Sequence, residues 1–251
     1  MRFAVGIEYD GTAYNGWQRQ RTGTGVQAVF EKAVSSVADH PVELVCAGRT
    51  DTGVHATGQV AHFDTTAERS DRGWLLGINS NLPDDINARW VKPVAEDFHA
   101  RFDALNRSYE FHILNDLVRS AMHRHRSWWV HQHLDADLMH AAAQCLLGEH
   151  DFSSFRAAGC QASTPNREVQ QVSVSRNERW ITLRIRANAF LQHMVRNITG
   201  TLAEIGAGDY PVTHMRDVLE AADRRQAGVA APPQGLSLVR VEYPPELEIP
   251  A

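Results

Sequence analysis

Residues 47–60 read AGRTDTGVHATGQV, a polar, glycine-rich turn between two apolar, strand-like segments, VELVC and QVAHFD. Loops held by a rigid scaffold are where proteins usually display reactive groups. Glycine lets a backbone approach a ligand closely, and a nearby cation favours the ionised form of a carboxylate. Asp51, two residues after Arg49, is therefore the candidate nucleophile or base of this turn. An Asx-turn at Asp51 with a surface ion pair at Arg49 explains the same spacing, since such turns are common.

Outward from this turn, the first half of the chain mixes strands with helices. Residues 2–9 place Phe3, Val5, Ile7 and Tyr9 on one side, which predicts a half-buried strand. Residues 26–38 carry apolar side chains at helical spacing, and a second helix is predicted near residues 70–79. Further strands are predicted at residues 42–46, 59–64 and 86–94.

The second half repeats this mixture without a detectable sequence repeat. Helices are predicted at residues 135–147, where Asp135 is a suitable N-cap, and at residues 190–206. Strands are predicted at residues 108–114, 169–175, 180–186 and 236–243. Because these strands can pair antiparallel, we predict an α+β fold with two comparable lobes, residues 1–103 and 104–251.

Composition and charge narrow the class of protein. The 251 residues are 43% hydrophobic and 22% charged, as in globular proteins, and no 18-residue apolar stretch predicts a membrane span. A formal charge of -5 argues against binding a polyanion by bulk charge alone. All basic residues except Lys32 and Lys92 are nevertheless arginine, which suits planar recognition of phosphates and bases, although genomic base composition explains the skew equally well.

Cysteine usage and the N-terminus predict the compartment. Cys46, Cys145 and Cys160 are too few and too widely spaced for a disulfide framework, so we expect reduced thiols. The apolar run of the N-terminus is broken at Glu8 before a signal-peptide core forms. We therefore expect a cytoplasmic protein.

The stretch GRTDTGVHATGQVAHF, residues 48–63, resembles the signature of the TruA-type tRNA pseudouridine synthases, in which the aspartate of GRTD-x-GVHA is catalytic. Other segments resemble further motifs of that family, in family order and within residues 3–243: YDGTAYNGWQRQ with GVQAVFEKA, RSYEFHIL, FLQHMVRNITGTL and PPQGLSLVRVEY. The resemblance implies the pseudouridine synthase fold, with two α/β lobes, antiparallel or mixed sheets, and a central catalytic cleft.

The activity that this resemblance implies is an isomerisation without a cofactor. Uridine at positions 38 to 40, in the anticodon stem and loop of tRNA, is detached from its ribose, rotated and rejoined through carbon. Asp51 is then the nucleophile, and whether it attacks the ribose or the uracil ring stays open. The family also works as a homodimer, so the resemblance implies a dimer of this chain.

Further roles are carried over from matching motif positions. Tyr109 corresponds to the tyrosine that stacks on the target uracil and is a candidate for removing the ring proton. Arg196 matches the cation that pairs with the aspartate, and Arg49 matches the arginine that helps extrude the base. Leu236 corresponds to an apolar residue against the flipped base. Without the resemblance, the sequence favours a core aromatic residue at Tyr109, and it is compatible with a solvated arginine at Arg196.

RNA contacts are expected from local basic residues. Residues 117–133 and 179–203 contain several arginines and no acid. We expect RNA contacts from His55 in the polar turn and from four arginines of these segments, Arg124, Arg126, Arg184 and Arg186. Arg184 and Arg186 share one face of a predicted strand, although an ordinary solvated sheet face has the same pattern.

Three other interpretations stay open. A non-catalytic RNA-binding protein on the same scaffold shares most surface features, but it has no need for Asp51 where a polyanion approaches. Gly23, Gly25 and Ala28 match GxGxxA, as in a nucleotide-dependent oxidoreductase, but no apolar strand precedes them. HRHRSWWVHQH suggests metal-dependent hydrolysis, but it lacks a clear third ligand. We therefore predict neither a metal nor a nucleotide cofactor.

Overall fold

In the computed structural model, which describes residues 1–20 and 22–250, the chain divides into two units by its internal contacts. The first unit is Met1–Arg107 with Ser237–Ala251, and the second is Ser108–Leu236. The predicted lobes, 1–103 and 104–251, differ from these units chiefly at the C-terminus. The last strand pairs within the first unit, which a boundary drawn along the chain does not capture. The lobes and the cleft between them stay a prediction.

The first unit is a mixed sheet with two helices. Its elements are β1 (Arg2–Tyr9), α1 (Val26–Ala38), β2 (Val45–Cys46), β3 (His55–Asp64), α2 (Asp71–Asn81), β4 (Ile86–Val94) and β10 (Leu236–Glu242), the last from Ser237 onward. The strand order is β4-β1-β3-β10, and β2 also pairs with β3. All of these pairs are antiparallel except that of β10 with β3, which is parallel.

Strand β1 forms over the predicted residues 2–9, but it is buried on both faces, so the prediction that it is half-buried is wrong. On one face Phe3 stacks on Phe63, with ring centroids 5.6 Å apart, and contacts Trp74 of α2. The other face carries Ala4, which packs with Phe98 and Ala100 beneath side chains of the C-terminal segment, Tyr243, Leu247 and Ile249. The alternation of large and small residues reflects a closely covered second face rather than solvent.

The second unit contains the remaining elements. They are β5 (Asn106–Asn115, from Ser108 onward), β6 (Trp128–Val130), α3 (Ala136–Ala143), β7 (Gly148–Asp151), β8 (Asn166–Asn177), β9 (Trp180–Ala187), α4 (Met194–Gly206) and α5 (His214–Ala221). The strand order is β5-β9-β8-β7, and β6 pairs in parallel with β5. The pairs β7 with β8 and β8 with β9 are antiparallel.

Most predicted elements of this unit are present, with shifted ends. The helix predicted from residue 190 begins at Met194, because His193 adopts a left-handed backbone with φ 64°. The helix predicted to residue 147 is α-helical only to Ala143 and ends in a 3-10 turn. The sequence prediction omits β6, β7 and α5, of which β6 and β7 have only three and four residues, too few for a clear hydrophobic period. The α+β class is confirmed, and no described helix is long and apolar enough to cross a membrane.

Candidate active site

Asp51 lies in a tight turn that connects β2 to β3. The amide of Val54 donates a hydrogen bond to the Asp51 carbonyl at 3.1 Å, and Gly53 adopts φ 77°, a conformation that favours glycine. The Asp51 side chain is half-buried, while Arg49 is exposed. The turn therefore brings a carboxylate and a guanidinium to the surface of the first unit within three residues.

Thr50 holds the backbone immediately before Asp51. Its hydroxyl lies 2.7 Å from the Tyr9 hydroxyl at the end of β1, and its carbonyl accepts a hydrogen bond from the Trp17 amide at 3.0 Å. Thr50 is only 7% exposed, so both bonds are shielded from water. Bonds of this kind, made from two separate segments, restrict the position of the Asp51 main chain.

The loop between β1 and α1 packs directly against the same turn. A Cβ atom at Gly16, where φ is 84°, would lie 2.6 Å from the Thr50 carbonyl oxygen and 3.1 Å from the Asp51 carbonyl carbon. Only glycine allows this approach. The first amides of α1, those of Val26 and Gln27, donate to the carbonyls of Gly16 and Trp17. The N-terminus of α1 is thereby tied to the backbone of the Asp51 turn.

Tyr14 makes a further contact between this loop and the turn. Its carbonyl accepts a hydrogen bond from the Gly53 amide at 3.3 Å, and its hydroxyl donates to Asp85 at 2.6 Å. Burial and the hydrogen bond to Asp85 raise the pKa of the Tyr14 phenol. Tyr14 therefore stays protonated at neutral pH and serves as a donor.

His55 is buried at the start of β3, with 2% of its surface exposed. The Gly11 amide donates to its Nδ1 atom at 3.0 Å, and an Asp10 carboxylate oxygen lies 3.1 Å from the same nitrogen. Its side chain thus fastens the loop that follows β1. A direct RNA contact by His55 stays a prediction.

Several of these supporting residues were not singled out from the sequence. The only sequence feature that indicates them is that they fall within the motifs resembling the family: Tyr9, Gly16, Trp17 and Thr50. Their hydrogen-bond partners are far away in the sequence, so no local pattern indicates which of them contact the turn.

Tyr109 lies on β5 in the second unit and is 7% exposed. The Phe190 ring meets it edge-on, with centroids 4.9 Å apart and planes at 77°. Phe111 and Ile113, on the same side of the strand, are fully buried. The aromatic ring of Tyr109 is therefore held in place by packing.

Arg196 lies in the first turn of α4 and is half-buried. Its Nε atom donates to the Ala231 carbonyl at 2.8 Å, and the Ala231 amide donates to the Arg196 carbonyl at 3.0 Å. The segment before β10 thus runs against the helix and orients the arginine. Leu236, at the start of β10, is 5% exposed.

The four arginines predicted to contact RNA differ in their surroundings. Arg184 forms an ion pair with Glu110 of β5, with Nε 2.8 Å from the carboxylate oxygen. The absence of acids along residues 179–203 therefore does not make this surface uniformly basic, because the acid comes from another strand. Arg186 is half-buried, whereas Arg124 and Arg126 are exposed in the loop before β6. Their RNA contacts stay predictions.

The predicted site residues are thus shared between the two units. Arg49, Asp51 and His55 come together in one turn of the first unit. The second unit holds the other predicted residues, namely Tyr109, Arg124, Arg126, Arg184, Arg186, Arg196 and Leu236. Within residues 1–20 and 22–250, no group of three or more histidine, cysteine or acidic side chains is arranged to hold a metal ion.

The sequence is similar to known proteins along nearly all of its length. A family model described as tRNA pseudouridine synthase matches residues 6–103 and 142–244. Proteins named tRNA pseudouridine synthase A from Aeromonas salmonicida and Hydrogenovibrio crunogenus are 58% and 56% identical, over 100% and 98% of this chain and 93% and 94% of their own lengths. The protein of that name from Coxiella burnetii is 53% identical over 99% of this chain and 95% of its length.

Among solved structures, one titled "Crystal Structure of a Cbf5-Nop10-Gar1 Complex" superposes with a TM-score of 0.38 and 12% identity, covering 94% of this chain and 48% of that chain. The family-model match covers most of the chain, and the relatives align along nearly all of it. The chain belongs to the tRNA pseudouridine synthase family. The resemblance stated from the motifs is confirmed, and the oxidoreductase and metal-hydrolase interpretations have no support.

Proposed function

We propose that this protein isomerises uridine to pseudouridine in tRNA, with Asp51 as the nucleophile. The observation that carries the proposal is the GRTD turn, in which a half-buried aspartate occupies the position of the family's catalytic residue. Family membership supports the reaction class. The hydrogen bonds around Thr50 support the nucleophile, because a group held in one position needs little reorganisation to react.

The chemistry balances without a cofactor. The bond between the uracil nitrogen and the ribose breaks, a bond from a uracil carbon to the ribose forms, and a proton moves from that carbon to the nitrogen. A carboxylate nucleophile divides this exchange into two easier steps. In this proposal Tyr109 removes the ring proton, Arg196 keeps the carboxylate ionised, and Arg49 and Leu236 accommodate the extruded base.

The substrate is proposed to be tRNA with uridine at positions 38 to 40 of the anticodon stem and loop. The names of the relatives support a tRNA substrate, and the resemblance supports these positions. We also propose that the protein acts as a homodimer in the cytoplasm. A base-flipping reaction costs a few kcal/mol of lost stacking, which contacts to the RNA backbone must offset.

The test is to incubate unmodified tRNA with the wild-type protein and with Asp51→Asn, then map pseudouridine by position. We expect modification at positions 38 to 40 by the wild type and none by the variant. Asp84→Asn, which removes an exposed carboxylate of the same unit, is the matched control and should remain active. Undiminished modification by Asp51→Asn would exclude the nucleophile assignment. A wild-type protein that modifies no uridine would exclude the function.

A further inference from the structure

A cavity of about 230 Å³ lies in the second unit, beside the pair of strands β5 and β6. Its walls include Leu114 of β5, two tryptophans of β6 (Trp128 and Trp129), and two arginines of the intervening loop (Arg119 and Arg124). Pockets for drug-sized ligands usually measure roughly 300–1,000 Å³. At this volume the cavity suits one small group, and its arginines and tryptophans favour a group with an anionic part and a flat part.

The two arginines supply uncompensated positive charge. Arg124 donates from Nη1 to the Ala121 carbonyl at 2.8 Å, and neither arginine has an acidic partner among the described residues. The nearest acid in the sequence is Asp116, whose carboxylate pairs with Arg179 at 3.3 Å. Guanidinium groups without an acidic partner are suited to phosphate, which they bind through paired hydrogen bonds.

The two tryptophans supply a fixed aromatic surface. Trp128 packs edge-on against Phe111, with centroids 6.3 Å apart, which holds its ring against the sheet. Trp129 is 41% exposed, and its indole N–H donates to the Asp116 carbonyl at 2.9 Å. A tryptophan that is exposed yet oriented by a hydrogen bond is a stacking platform for a nucleobase.

We propose that this cavity binds a nucleotide of the RNA substrate other than the uridine that reacts. The inference rests on the proposed function, since tRNA supplies the nucleotide. Its phosphate would lie against Arg119 and Arg124, and its base would stack on Trp129. Leu114 is five residues beyond Tyr109 on β5, a distance of roughly 16 Å at about 3.3 Å per residue. The cavity therefore contributes to binding and not to the chemical step.

The test compares Arg119→Gln with Arg216→Gln, which removes the same charge from an exposed position on α5 of the same unit. For Arg119→Gln we expect the KM for tRNA to rise roughly tenfold with kcat unchanged, as for loss of one charge-assisted contact. The slope of log affinity against log salt should become shallower by roughly 0.7–0.9, as for one lost phosphate contact. Arg216→Gln should match the wild type in both measurements.

Two variants of Trp129 separate stacking from structural support. Trp129→Phe retains an aromatic face but loses the hydrogen bond to Asp116, and it should stay within about twofold of the wild-type KM. Trp129→Ala loses the face and should raise KM roughly tenfold. Equal losses in the two variants would show that the indole only supports the loop, and would overturn the stacking role.

Other outcomes overturn the proposal as a whole. If Arg119→Gln and Arg216→Gln have the same KM and salt slope while the wild type forms pseudouridine, the cavity binds no RNA and the proposed function stands. The same loop exposes Leu117, Val118 and Met122, so sedimentation of each variant is needed. A KM increase that accompanies dissociation of an oligomer would identify a protein interface instead. If the wild type is inactive, tRNA-binding isotherms of the same variants still decide the role of the cavity.

Discussion

Thr50 connects the packing of the first unit to the candidate nucleophile. Its hydroxyl contacts Tyr9 and its carbonyl contacts the Trp17 amide, so β1 and the following loop both act on the residue before Asp51. A displacement of about 1 Å at a reacting group can cost roughly a hundredfold in rate. Activity should therefore depend on Tyr9 and Trp17 through their hydrogen bonds to Thr50.

Tyr9→Phe tests this dependence at a single oxygen atom. The variant leaves the buried Thr50 hydroxyl without this partner, which should lower the free energy of unfolding by about 1–2 kcal/mol. Because the Asp51 backbone gains freedom, kcat for pseudouridine formation should fall roughly threefold to tenfold while KM for tRNA stays constant. Steady-state kinetics and urea unfolding measure the two effects.

Tyr243→Phe is the control for Tyr9→Phe. Its hydroxyl donates to the Ala100 carbonyl at 2.6 Å in the same unit, so the loss of stability should be similar while kcat is unchanged. The double variant Tyr9→Phe with Thr50→Val removes both polar partners and should be no less stable than Tyr9→Phe alone. Equal kcat values for Tyr9→Phe and the wild type would contradict the positioning role of Thr50.

At the scale of elements, helix α4 depends on a close approach of backbone to backbone. A Cβ atom at Gly200 would lie 1.8 Å from the Val229 carbonyl oxygen. The same segment, two residues later, accepts the hydrogen bond from Arg196 through the Ala231 carbonyl. The glycine in the helix interior therefore allows the segment to lie close enough to α4 for Ala231 to accept the hydrogen bond from Arg196.

Gly200→Ala should destabilise the protein although alanine is the better helix former. The gain in helix propensity is about 0.5–1 kcal/mol, whereas overpacking against a backbone atom costs typically about 1–3 kcal/mol. We expect a net loss of about 1–2 kcal/mol in thermal or urea unfolding, together with reduced activity. Gly159→Ala is the control, since its nearest neighbour is 3.9 Å away. A more stable Gly200→Ala protein would show that the segment yields at little cost.

At the scale of the whole molecule, buried histidines link stability to pH. His62 of β3 is 5% exposed and accepts a hydrogen bond from the Ala100 amide at 3.0 Å. Burial, with smaller effects of Arg2 and His99, lowers its pKa from 6.5 to about 4, against the opposing influence of Asp64 and Asp103. The unfolded chain therefore takes up this proton more readily than the folded one.

Because the unfolded chain binds this proton more readily, acid lowers the free energy of unfolding. The stability that the neutral His62 provides is complete above about pH 6.5 and decreases as the pH falls toward 4. Urea unfolding between these pH values should show this decrease, and His62→Gln should flatten it. Burial also lowers the pKa of His112, so part of the slope remains in the variant. The exposed His133→Gln should leave the slope unchanged; equal slopes in His62→Gln and the wild type would contradict the assignment.

The order of the main elements and the candidate nucleophile could be predicted from the sequence. The periods of β1, α1 and β4 are local, and each element forms over the predicted residues. The GRTD motif is contiguous, so the family resemblance and the candidate Asp51 can be recognised without any knowledge of tertiary contacts. Local patterns are informative where the signal itself, a regular spacing of apolar residues or a contiguous motif, lies within one segment.

Only the tertiary structure decided which distant residues act on those elements. Burial of both faces of β1 depends on the C-terminal segment, and the positive charge of Arg184 is compensated by Glu110 of another strand. The support of Asp51 likewise comes from Tyr9 and Gly16, which no period connects to it. These features depend on contacts between segments far apart in the chain. A hydrophobic pattern records that a residue is buried, but not which segment buries it.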